Sequence, residues 1–132
     1  MSEHVTLTMT RDQAAVVERA CELLSRLHIG QFDMITQELM HYDKSESWFK
    51  RRDTADGLMN MAAQVIFGKN SYGQPDVKEK DIDSMRAWTV YTTLRYARMW
   101  HDYPEGGTGV SWDKPLAYGE EMPSCMITNK ES

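Results

Sequence analysis

Between Thr10 and Gly30 the chain carries a pattern that suits one kind of backbone. Val16, Val17, Ala20, Leu23, Leu24 and Leu27 recur at spacings of three and four. At about 100° per residue they share one face, while Glu18, Glu22 and Ser25 fall opposite and Arg26 flanks them. Thr10 and Gln13 have the spacing of a capping box, in which the hydroxyl takes an orphan amide and the glutamine reaches back. Gly30 is placed to end the run with a left-handed residue. The pattern predicts an amphipathic helix over 11–29, and Gly30, Gln31 and Phe32 form a corner into a shorter helix reaching residue 40.

A third run, from Ser45 to Phe67, places Trp48, Phe49, Ala55, Leu58, Met59, Ala62, Val65 and Ile66 mostly three or four apart. Arg51, Arg52, Asp53 and Gly57 interrupt it and predict a break near 53–57. Residues 68–80 are turn-forming and charged, as in an exposed loop. Asp81 and Asp83 are N-cap candidates for a last helix reaching about His101. Residues 5–9 are rich in β-branched side chains and predict a short strand, and residues 122–128 are a candidate to pair with it. The expected fold is mainly α with an α+β element: one domain over 1–132, about four helices, and short N- and C-terminal strands.

A chain of 132 residues suits one core. Its net charge of −5 argues against binding a duplex nucleic acid, which takes a broad Lys/Arg surface. No apolar run approaches the roughly 20 residues of a membrane helix, and residues 1–10 have neither the basic nor the apolar region of a signal peptide. The expected compartment is the cytoplasm, that of the host cell for a phage-encoded chain. Cys21 and Cys125 lie far apart without a CxxC pair and read as reduced structural thiols.

Catalytic signatures are thin. His4, His28, His41 and His101 lack HxxxH or HExxH spacing, and Glu38 with His41 is a single half-site, so no metal or cofactor is expected. The glycine loop after Pro104 lacks the P-loop lysine and follows a helix where a phosphate cradle precedes one. It reads as a helix stop whose glycines fold Trp112 back, or as a loop that covers a ligand. The most informative residue is Arg95. On the last helix it falls inside the face of Met85, Trp88, Tyr91, Thr92, Tyr96 and Met99, where a guanidinium needs an acceptor. That acceptor is a carboxylate such as Asp33, Glu38 or Asp102, or else an anionic ligand. Ten methionines and four tryptophans supply adaptable packing surfaces within or between subunits, and a homo-oligomer is expected.

The segments SRLHIGQF (25–32), RMWHDYPEGG (98–107) and WDKP (112–115), with Gly119 and Pro123 following, resemble a group of short phage and prophage proteins. The resemblance implies a phage setting, in which small proteins without catalytic signatures include counter-defence sponges that sequester nucleotide immune signals. The expected function is therefore capture, without catalysis, of a small nucleotide-derived ligand such as a cyclic oligonucleotide or a cyclic ADP-ribose isomer. Arg95 with Arg26 or Arg98 would meet phosphate, Trp88, Tyr91, Trp100 or Trp112 would stack on a base, Gln31 would read a polar edge, and Gly106 and Gly107 would let the loop close. The alternative is a protein-binding inhibitor of a host defence enzyme. A nucleotide hydrolase would need His101 or His41 as base.

Overall fold

The computed structural model describes residues 3–77 and 81–128. Among them the chain is mainly helical, with α1 (Arg11–His28), α2 (Asp33–Leu39), α3 (Glu46–Phe67) and α4 (Ile82–Asp102), then one 3-10 turn at Val110–Trp112. The capping box forms in both directions: the Gln13 amide donates to Thr10 Oγ1 at 3.1 Å, and the Thr10 amide donates to Gln13 Oε1 at 3.0 Å. At the other end of α1, Gly30 has φ +83°, its amide bonds to Leu27 O, and the Gln31 amide bonds to Arg26 O. These are the two bonds of a Schellman stop. Ser45 caps α3 through the Trp48 amide, and Asp81 Oδ1 accepts from the Asp83 and Ser84 amides at the start of α4.

Three expectations are corrected. Residues 5–9 and 122–128 form no strand, and the one β-bridge among the described residues joins Lys69 to Pro75. Val5 is 95% exposed and Met126 85%, and no backbone ladder joins the two segments among the described residues. A side-chain bond from His4 to Glu121 at 2.8 Å is formed instead. Second, α3 runs unbroken through 53–57. Its charged interruption faces water, Arg52 pairs with Asp56 one turn on, and Gly57 costs only about 1 kcal/mol in a helix of 22 residues. Third, the apolar stripe of α1 is not its most covered side. An amphipathic helix ordinarily buries its apolar stripe, yet here Ser25 is the buried residue while Val16 is 53% and Leu24 45% exposed. Ser25 goes inward because it meets Ser84, and Glu18 is sheltered by its bonds to Arg98.

The contacts divide the chain into two compact units, residues 1–21 with 89–132, and residues 22–88. In the second unit α2 packs on α3, Phe32 meets Phe67 edge-on at 6.0 Å, and Ala63 and Trp48 are buried. The loop after α3 is held by Asn70, whose Oδ1 accepts from the Tyr72 and Gln74 amides, and by Gln64 donating to Gly73 O. Residues 78–80 of the expected loop lie outside the described residues. In the first unit, Glu18 with Arg98 and Arg11 with Asp102 tie the start of α1 to the end of α4. Cys21 and Cys125 are both free, and burial pushes both thiols up, which keeps them protonated.

Candidate functional site

Helical spacing puts Tyr91, Arg95, Arg98 and Asp102 one turn apart along the end of α4. Of the guanidinium groups in this unit, those of Arg98 and Arg11 are each neutralised by a carboxylate. Arg98 donates from Nε and Nη2 to the two oxygens of Glu18 at 3.0 and 2.9 Å. Arg11 Nη2 reaches both oxygens of Asp102 at 3.0 and 2.8 Å. The hydrogen bond to Arg11, then that to His101, holds the Asp102 carboxyl down to about 2, and the Glu18 bond raises Arg98 above its ordinary value.

Arg95 differs from both. Its Nη1 donates to the Tyr91 hydroxyl at 3.0 Å and its guanidinium lies 4.9 Å from the centre of that ring. No described carboxylate of its unit forms an ion pair with it, and Asp102 is taken by Arg11. A half-buried guanidinium engaged, among the described residues of its unit, by a phenol keeps several N–H donors in a planar fork, the geometry that receives a phosphate or carboxylate. Tyr91 is itself buried at 8% exposure, so it anchors the arginine from below.

The other candidates fall into two groups. In the unit of residues 22–88, Arg26 lies 5.3 Å from the Trp88 ring centre, donates from Nε to Glu22 at 3.1 Å, and donates from Nη1 to Gln31 Oε1 at 2.9 Å. The structure thus brings Arg26, Gln31 and Trp88 together, with Glu22 neutralising the arginine.

The remaining candidates belong to the glycine loop. Trp100 Nε1 donates to Trp112 O at 3.1 Å, which closes residues 104–112 onto the end of α4. A Cβ on Gly106 would meet Trp100 at 2.9 Å, and one on Gly107 would meet Trp112 at 2.7 Å. These glycines let the backbone lie directly on the two indoles, so the indoles hold the loop.

Searches against protein-family models, curated proteins and solved structures find no match. The chemistry rests on the residues themselves. Among the described residues there is no group of three His, Cys, Asp or Glu side chains able to hold a metal, and no helix is long and apolar enough to cross a membrane. Sequence reasoning missed Arg11 and Glu18, whose partners lie 91 and 80 residues away. Glu18 left one trace, its place on the polar face of α1.

Proposed function

We propose that this protein works by binding rather than catalysis, and that it sequesters a small nucleotide-derived anion of the cyclic oligonucleotide or cyclic ADP-ribose type, as a phage counter-defence sponge does. One observation carries the reading. Arg95 is half-buried on an aromatic base with no carboxylate of its unit to neutralise it, whereas Arg98 and Arg11 are each held by one. An anion at Arg95 supplies the missing charge, and the Tyr91 ring fixes the guanidinium without consuming its fork. The phage setting comes from the resemblance of the 25–32 and 98–107 segments.

The test is a thermal-shift series with cyclic di- and trinucleotides, ADP-ribose and its cyclic isomers. A ligand at about 100 times its dissociation constant adds about 2.7 kcal/mol, several degrees for a domain of this size. The expected result is a selective shift that Arg95→Ala abolishes while the free protein melts as before, with ligand recovered unaltered after denaturation. A shift that survives Arg95→Ala overturns the site, and an altered ligand overturns the non-catalytic reading.

A second reading, a protein-binding inhibitor of a host enzyme, is favoured by the outer face of α3, where Leu58, Met61 and Val65 are 58%, 61% and 83% exposed. It predicts no response to any nucleotide, and loss of one co-purifying host protein in Met61→Lys.

A further inference from the structure

Resting on the reading of Arg95 as an anion site, we infer that this site takes one singly charged phosphodiester and is indifferent to the base attached to it. Its ligands are then cyclic oligonucleotides of any base, and not pyrophosphates of the ADP-ribose class.

The fork of Arg95 supplies the contact. Its Nη1 is held on the Tyr91 hydroxyl, and among the described residues of its unit Nε and Nη2 carry no hydrogen bond. These two atoms form the same edge with which Arg98, one turn on, grips both oxygens of Glu18 at 3.0 and 2.9 Å. The two non-bridging oxygens of a phosphodiester present that spacing to a guanidinium.

The charges set how much anion the site takes. Along this side of α4, Arg98 is matched by Glu18 and Asp102 by Arg11, which leaves the single positive charge of Arg95. A phosphodiester brings one negative charge, and in a cyclic oligonucleotide the next diester stands a whole nucleoside away. A pyrophosphate brings its second charge on the adjoining phosphorus. Arg98 would meet that charge by releasing Glu18, whose side chain is 14% exposed and would be left charged without its partner. The remaining Arg98 nitrogen, Nη1, rests on Met99 Sδ at 3.4 Å.

The side chains expected to read a base are engaged elsewhere. Tyr91 is buried and carries the Arg95 guanidinium on its ring. Trp100 stands about 140° round α4 from Arg95, at about 100° per residue, and bonds to the Trp112 carbonyl. Trp112 lies against Gly107 and the edge of Tyr103. In the other unit Trp88 carries Arg26, and Gln31 Oε1 accepts from the same arginine. A base that meets neither ring nor polar edge adds nothing that tells it from another.

The experiment is calorimetric titration of the full chain with cyclic di-AMP, cyclic di-GMP, cyclic di-UMP and ADP-ribose, alongside NMR of the arginine Nε–H groups during titration with dimethyl phosphate. The three cyclic dinucleotides are expected to bind within about threefold of one another, because a site that reads a base edge separates bases by about tenfold or more. ADP-ribose is expected to bind about tenfold more weakly or worse, and Arg95→Gln to weaken all three dinucleotides alike, by about 10- to 100-fold. Dimethyl phosphate is expected to move the Arg95 Nε–H signal, a readout that needs no variant beyond Arg95→Lys to assign it. A preference of about tenfold or more among the dinucleotides, or ADP-ribose binding as tightly as they do, overturns the inference and leaves nucleotide capture standing. If dimethyl phosphate moves Arg95 but no nucleotide binds, capture falls and the phosphodiester site stands. If neither binds, both fall.

Discussion

Glu18 and Arg98, 80 residues apart, meet in a two-bond ion pair at 3.0 and 2.9 Å. It ties the polar side of α1 to α4. The pair is sheltered at one end only, since the Glu18 side chain is 14% and the Arg98 side chain 36% exposed. Glu18→Ala is expected to cost about 1–2 kcal/mol, less than the roughly 3–5 of breaking a wholly buried pair, because water screens the arginine. A double-mutant cycle with Arg98→Ala, read by urea unfolding, is expected to show clear coupling. Additive effects would mean that the pair contributes nothing to seating α1.

Asp102 sets a pH dependence whose sign follows from its depressed value. The Arg11 hydrogen bond, then that of His101, lowers its carboxyl from 3.8 to about 2. The folded state therefore gains from this group above 3.8 and loses the gain as pH falls from there through about 2. A carboxyl-carbon NMR titration is expected to place Asp102 in the lower part of that window, and Arg11→Ala is expected to return it towards 3.8. An unchanged titration in Arg11→Ala would remove the guanidinium as the cause.

Gly106 and Gly107 are expected to reject a side chain for different reasons. Gly106 has φ +78°, which an L-residue adopts at a cost of about 1–2 kcal/mol, and its Cβ would also meet Trp100. Gly107 is limited by space alone, since its Cβ would lie 2.7 to 3.0 Å from three carbons of the Trp112 ring. Gly107→Ala is expected to cost about 1–3 kcal/mol by overpacking, and to change tryptophan emission as Trp112 is displaced. An alanine at either position with unchanged melting and emission would mean that the loop is not held on the indoles.

Local chemistry made much of this chain legible before its fold. The Thr10 and Gln13 box, the Gly30 stop, the Ser45 and Asp81 caps and four helices near their observed bounds all follow from interactions spanning a few residues, which operate wherever the sequence occurs. So does the placing of Arg95 beside Tyr91, four positions apart on one helix. The direction in which α1 faces was decided elsewhere. Periodicity divides that helix into two sides without stating which is covered, and the answer depended on partners that arrive from α4: Arg98 for Glu18 and Ser84 for Ser25. In the same way, tertiary structure alone assigned Asp102 to Arg11, which lies 91 residues away.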